Sequence, residues 1–461
     1  MFKKVSKKAL YMLLAALMIW IAMPALAKVS VEEAERLKKD LTPFGSERAG
    51  NKDGTIPAWD GGMVGTPPNV KFDRASGQLH PDPFADDKIL FTITAENVSQ
   101  YADKISPGIM ELFKKYPKTW KMNVYPTRRP FAAPQDIYDR TYENAIRAEL
   151  INGGDDGVAG TWGGIPFPIP KDGTELITNH NGRWTTKGMV DYAHTQLVHA
   201  DGSRSTGGAA KYTYPARPYE LSREEYNPQE FIAGVMIEYF EPARRNGEII
   251  LALDRGDFRG GERGAWQYMP GQRRVRRAPS IGYDTPNPTY GGYATYDDAY
   301  MYNGRPDRFS FKMGAKKEMY VPYNCYAFEF APLEDLCTPY HLNPKYLRWE
   351  LHRVWENTAT LREGKRHCYG KRVFFQDEDT WQVLLRDNYD TRGSLWRMAF
   401  ACSKHYWDVP AYRQRSTHMF DFQVDTYCAT QLNQGMPKNT YEIITPWDFF
   451  TPQSVRKLGK R

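Results

Sequence analysis

The residues whose chemistry must be weighed first are two histidines, an acidic triplet and an arginine cluster. His352 and His367 stand on runs expected to be adjacent strands, where paired imidazoles can bind zinc. No third ligand is set by spacing, so hydrogen-bonded histidines are the expectation and no metal is assigned. His194 and His199 lie in a polar stretch expected to be loop. Asp377-Glu378-Asp379 supplies three carboxylates, but successive residues of a hairpin turn point into water and keep ordinary acidity. A solvated turn is expected there. GGDDG (Gly153 to Gly157) lacks the alternating acids and terminal Glu of a calcium loop and reads as a tight turn. QRRVRRAP places Arg274 and Arg276 on one strand face and Arg273, Val275 and Arg277 on the other, which calls for anionic partners on both. Structural ion pairs are the plainer expectation, with headgroup contacts by Arg274 and Arg276 beside it.

The familiar catalytic signatures are missing. The chain has no GxxxxGK[ST], GxGxxG, GxSxG, HExxH or CxxC. No catalytic residue and no cofactor is therefore assigned.

The elements that must position these residues follow from periodicity. Val31 to Lys39 has helical spacing, and Leu41 to Phe91 is rich in Gly, Pro and Asp and reads as an extended arm. Helices are expected from Ala95 to Tyr116, broken at Ser106-Pro107-Gly108, and from Pro134 to Leu150; Gly153 to Gly164 reads as loop. From about Gly234 the pattern turns to strands: Val235 to Phe240, Glu248 to Leu253, Ala265 to Met269 and Gln272 to Arg277. In Leu347 to Leu361, Leu347, Trp349, Leu351 and Trp355 share one face and Arg348, Glu350, His352 and Glu356 the other. Arg366 to Gln376, Thr380 to Arg386, Ser394 to Ala401 and Met419 to Thr430 continue an antiparallel meander. Such a sheet must curl or be covered by helices, which predicts an α+β fold in one continuous domain with a long N-terminal arm. The aromatics Trp349, Trp355, Phe374, Phe375, Trp381 and Trp396 would line a sheet face able to enclose lipid chains.

With 461 residues, 41% hydrophobic and 25% charged, whole-chain disorder is excluded. Lys3, Lys4, Lys7 and Lys8, the apolar run Ala9 to Met23 and the small residues up to Ala27 read as a secretory signal cut after Ala27. The apolar run is about 15 residues, where a membrane span needs about 20. Without the four leader lysines the net charge falls from +7 to +3, too small an excess to support nucleic-acid binding. Lys28 follows the expected cut and no Cys is near it, so lipid attachment is not expected and a soluble periplasmic protein is. An oxidising compartment permits disulfides. Five cysteines (Cys325, Cys337, Cys368, Cys402, Cys428) leave at least one unpaired within the chain, and Cys325 with Cys337 is the expected pair. Cys368 and Cys428 are expected as small buried residues.

LTPFGSERAGNKDGTIPAWDGG (Leu41 to Gly62), HPDPFADDKILFTIT (His80 to Thr94), NVYPTRRP (Asn123 to Pro130), MPGQRRVRRAP (Met269 to Pro279), KEMYVPYN (Lys317 to Asn324), RWELHRVW (Arg348 to Trp355) and TPQSVRKLGKR (Thr451 to Arg461) together resemble the bacterial envelope family called domain of unknown function 1329. The resemblance spans the chain after the leader in block order. It implies an open antiparallel half-barrel of the LolA/LolB type, closed by helices around acyl chains, over residues 95–461, after a signal at 1–27 and a helix and arm at 28–94. It also implies work beside a transporter of the resistance-nodulation-division superfamily and an outer-membrane partner. The expected function is a soluble carrier of a lipid or other hydrophobe, with Trp349, Leu351, Trp355, Phe375, Trp381 and Val383 lining its cavity. A structural adaptor that docks a membrane partner through the arm, and an exported hydrolase or lyase using His352, His367 or a carboxylate, are the alternatives.

Overall fold

The computed structural model describes residues 29–278 and 281–460; the leader Met1 to Ala27 and its expected cleavage site lie outside the described residues. The strands are β1 Phe91–Ile93, β2 Met122–Val124, β3 Glu149–Leu150, β4 Val158–Ala159, β5 Met189–Val198, β6 Arg204–Tyr214, β7 Ala233–Glu241, β8 Ile249–Asp254, β9 Gly264–Met269, β10 Arg274–Arg277, β11 Phe309–Pro322, β12 Trp349–Leu361, β13 Lys371–Asp377, β14 Val383–Tyr389, β15 Leu395–Tyr406, β16 Ala411–Asp421, β17 Thr426–Leu432 and β18 Thr440–Tyr441.

Two sequential meanders, β5 to β10 and β11 to β17, join through the β17–β5 pair into one open sheet ordered β1-β2-β12-β13-β14-β15-β16-β17-β5-β6-β7-β8-β9-β10. β11 also pairs with β12, and β18 with β5. Pairing is antiparallel throughout this sheet except for one parallel bridge, Trp349 to Val124. The fold is α+β, an open, mainly antiparallel sheet covered by helices. Several segments differ from the periodicity reading. β5 lies where loop was expected and carries His194, and β6 and β11 form where no element was assigned. Met419 to Thr430 is not one strand but a hairpin turning between Asp421 and Thr426. The helix Gly173–Asn181, capped by Asp172, has too short a pattern to stand out.

Both faces of the central sheet are buried. Adjacent residues point to opposite faces, and Phe374 and Phe375 fall in different apolar clusters, as do Ala399 and Phe400. One face is covered by the arm and the helix Pro107–Lys115, the other by the segment from Tyr290 to Phe309. Ser106 caps that helix and proline opens it, and Ile109, Leu112 and Phe113 are its buried stripe. Its first turn rests on one carboxylate. The Gly108 N–H donates to Asp387 Oδ2 at 3.0 Å and the Ser106 hydroxyl to Oδ1 at 3.3 Å. A Cβ on residue 108 would stand 2.2 Å from Asp387 Oδ1, so this approach requires glycine.

The arm belongs to the core. Phe44 and Ile56 are buried in the larger cluster, and the Trp59 indole donates to the Phe131 carbonyl at 2.8 Å. The acidic turn lies beneath it, which corrects the solvated-turn expectation: Asp377, Glu378 and Asp379 are at most 2% exposed. Arg129 forks Asp379, Nε to Oδ2 at 2.9 Å and Nη2 to Oδ1 at 2.6 Å, while also donating to the carbonyls of Glu47 and Pro57. Arg353 pairs with Glu378 and donates to the Glu47 and Ala49 carbonyls, and Lys316 meets Glu378 at 2.9 Å. The Trp381 indole donates to the Phe44 carbonyl at 2.8 Å.

Two outcomes follow from these contacts. Arg129→Ala leaves a buried carboxylate unpaired and is expected to cost on the order of 3–5 kcal/mol in urea denaturation, whereas Arg36→Ala, in an exposed pair, should cost under about 1 kcal/mol. Burial pushes the Asp387 carboxyl up to about 7, against the opposing pull of the Gly108 N–H and the Ser106 hydroxyl. Because the folded state then holds a proton that the unfolded state has released, Asp387 favours folding at low pH and that benefit is lost as pH rises through about 7. The unfolding free energy of the wild type relative to Asp387→Asn should therefore fall by up to about 1.4 kcal/mol per pH unit between about pH 5 and 7, then level. A difference that stays flat with pH would contradict the buried, protonated state.

Candidate functional site

The candidate binding site is a cavity of about 440 Å³ between the helical segment Ala102 to Met110 and strands β11 to β14. Ile105, Pro107 and Met110 form its roof, and Met319 of β11, Val373 and Phe375 of β13 and Tyr389 of β14 form its floor. Asp103, Lys317 and Glu356 stand around it, with Lys317 and Glu356 joined as a partly exposed ion pair. The antiparallel register sets this arrangement. Met319 lies opposite His352, Lys317 opposite Val354 and Glu356 opposite Phe375, so strand alternation brings apolar and charged groups to one wall. The Tyr389 phenol is pushed up to about 12 by burial. The cavity offers an apolar slot with a charged rim, which suits reversible burial of a hydrophobe.

Among the residues expected to line such a cavity, Phe375 does so. Trp349, Leu351 and Trp381 are packed in the same large cluster, with Trp349 against Phe400 at 5.6 Å between ring centres, and Trp355 is half-buried beneath Lys316 at 5.0 Å. Val383 faces the second cluster across the sheet, and its N–H donates to His180 Nδ1 at 3.1 Å. Arg274 and Arg276 are exposed on β10, the strand at the opposite end of the sheet order, and no ion pair holds either among the described residues. Met110, Met319 and Val373 were missed because flexible and branched apolar side chains carry the same signal in a cavity wall as in a filled core. Register with Phe375 was the one available clue.

All five thiols are free. The expected Cys325–Cys337 bond is not formed: the Cys325 N–H donates to the Ser403 carbonyl at 2.9 Å, and the neighbouring thiol is that of Cys402. Two short helices, Tyr326–Phe330 and Leu333–Leu336, separate Cys325 from Cys337. Cys428 is buried in β17 and Cys368 lies in the loop before β13.

His352 and His367 sit on separate polar clusters. His367 Nε2 lies 3.0 Å from Asp297 Oδ2, inside a network in which Arg372 reaches Asp297 and Asp298 at 2.8 Å each and Arg386 meets Asp298 at 2.9 Å. This network sets paired charge beside the apolar cluster on the second face of the sheet. Arg348, Glu350 and His352, expected on a polar strand face, are buried: His352 Nε2 lies 3.0 Å from Glu350 Oε2, and its ring stacks on Tyr323 at 3.7 Å. A donor atom of His352 and carboxylate oxygens of Asp377 and Asp379 lie within 4.8 Å of one another. The Asp377 carboxyl is pushed up to about 7, by burial and then by Asp379. GGDDG is the expected tight turn, with Asp155 paired to Arg362 at 2.7 Å.

No helix among the described residues is long and apolar enough to cross a membrane. The family described as Protein of unknown function (DUF1329) matches residues 92–456. The uncharacterized protein PA3922 of Pseudomonas aeruginosa is 37% identical over 454 residues, covering 96% of each chain. A solved DUF1329 family protein from Desulfovibrio piger aligns at TM-score 0.42 and 13% identity, covering 61% of this chain and 97% of its own. A putative outer membrane lipoprotein-sorting protein domain from Vibrio parahaemolyticus aligns at TM-score 0.40 and 14% identity, covering 58% and 91%. The extent of the sequence matches settles the family: this chain belongs to DUF1329.

Proposed function

We propose that this protein is a soluble periplasmic carrier that takes up a lipid or another hydrophobic molecule in the cavity beneath the helix Pro107–Lys115. The observation that carries the reading is the slot itself, roofed by Ile105, Pro107 and Met110 and floored by Met319, Val373 and Phe375, with charge confined to its rim. Burial of apolar surface at about 25 cal/mol per Å² supplies the affinity, and release to a partner needs a difference in affinity rather than covalent chemistry. The helix is suited to gate the slot because its first turn rests on Asp387, whose charge changes near neutral pH. In this reading the carrier works beside an inner-membrane transporter of the resistance-nodulation-division type and an outer-membrane partner, as the resemblance of its motif blocks implies.

A second reading, a structural adaptor, draws on β10. Arg274, Arg276 and Arg277 are exposed on β10, the last strand of the sheet order, which suits docking to an anionic surface. The arm offers less to such a role because Phe44 and Ile56 are already buried.

Titration with dansyl-undecanoic acid tests the carrier. The wild type should bind, Val373→Trp should weaken binding by about tenfold or more, equivalent to about 1.4 kcal/mol, and Val424→Trp on an exposed turn should not. Equal binding by wild type and Val373→Trp would place the ligand elsewhere. For the adaptor, Arg274→Gln with Arg276→Gln should reduce sedimentation with phosphatidylglycerol vesicles and leave the low background on phosphatidylcholine vesicles unchanged.

A further inference from the structure

We propose that His352, Asp377 and Asp379 form a binding site for one divalent transition-metal ion of the zinc class, distinct from the hydrophobe cavity and seated where the N-terminal arm meets the sheet. The ligand atoms converge within 4.8 Å and all three residues are buried. Strand pairing produces the convergence: Val354 of β12 lies opposite Asp377 of β13, so His352 stands diagonally across from Asp377, and the turn returns Asp379 to the same point.

The independent sign of a missing ligand is on Asp377. Its Oδ2 accepts three hydrogen bonds, from the Tyr323 hydroxyl at 3.0 Å, the Thr380 N–H at 3.0 Å and the Thr380 hydroxyl at 2.6 Å. Its Oδ1 has no partner among the described residues although the side chain is fully buried. An unsatisfied buried carboxylate oxygen is costly, and a cation at Oδ1 removes the cost. The other two ligands are held by partners of the kind that orient metal-binding groups. Glu350 Oε2 lies against His352 Nε2 and is itself tied through Oε1 to Arg348, leaving the other imidazole nitrogen for the ion. Arg129 takes one lone pair from each oxygen of Asp379 and the Ser46 side chain also donates to that carboxylate, which leaves one of its four lone pairs.

One imidazole with two carboxylates suits zinc, manganese or iron better than calcium or magnesium, which prefer all-oxygen shells. Thr42, Phe44, Ser46 and Trp59 of the arm border a narrow cleft that ends at Asp379, so the ion enters when the arm lifts or as the chain folds. Metal binding would then add directly to arm closure.

The test uses the full chain after its leader, stripped with chelator, incubated with zinc and dialysed. Inductively coupled plasma mass spectrometry should find about one zinc per chain, against little in Asp377→Asn and His352→Gln and about one in His367→Gln as control. Zinc should also slow cleavage within Leu41 to Trp59 by limited proteolysis several-fold in the wild type and leave Asp377→Asn unchanged, with circular dichroism confirming that the variants fold. Zinc content well below one per chain in the wild type, or content equal in the wild type and both site variants, would overturn the proposal and leave a proton as the occupant of Asp377. Dansyl-undecanoate binding by the stripped chain reports separately on the cavity.

Discussion

Carboxylates taken out of water must be met by cations or donors: Glu378 and Asp379 are met by Arg129, Arg353 and Lys316, and Asp377 by the Tyr323 hydroxyl and Thr380. These side chains do more than neutralise the turn. Arg129 and Arg353 spend their remaining N–H groups on carbonyls of Glu47, Ala49 and Pro57, so a glycine- and proline-rich segment with little secondary structure of its own is held by its backbone. Once the segment is held, Phe44 and Ile56 close one face of the sheet. The same device serves the opposite face, where Asp297 and Asp298 hold the covering loop against Arg372 and Arg386.

Charge bound in this way lines the open, curved sheet. The two faces of the meander are largely filled by the chain's own rings and ion pairs, and the apolar slot lies over β11 to β14 under the helix Pro107–Lys115. That position separates stability from exchange of a ligand. Lifting the arm would expose several paired charges, whereas lifting the helix exposes the stripe Ile109, Leu112 and Phe113 and releases one carboxylate, Asp387. Segments that move in function are drawn from the less firmly held parts of a fold.

Legibility in the sequence followed the range of the interactions. The helix broken at Ser106-Pro107-Gly108 and the strand from Trp349 to Leu361 were readable because caps and alternation are local. β6 was not, because Gly207, Gly208, Ala209 and Ala210 interrupt its pattern. Their smallness is a tertiary demand: a Cβ on residue 207 would stand 2.1 Å from the Thr289 carbonyl oxygen. The hairpin between β16 and β17 was hidden by Phe422 and Val424, apolar residues in a turn. Of the expected cavity residues, Phe375 lines the slot, and Trp349, Leu351 and Trp381 are core because the arm and neighbouring strands reach them first.

The sequence by itself determined the α+β class, the sequential meander and the family, since periodicity, turn chemistry and ordered motif blocks are written in neighbouring residues. Only the tertiary structure decided that the acidic turn is dry, that the arm is core and that the slot lies beside β13. Which face of a strand loses its water depends on segments distant in the chain, and no local pattern records which of them will cover it.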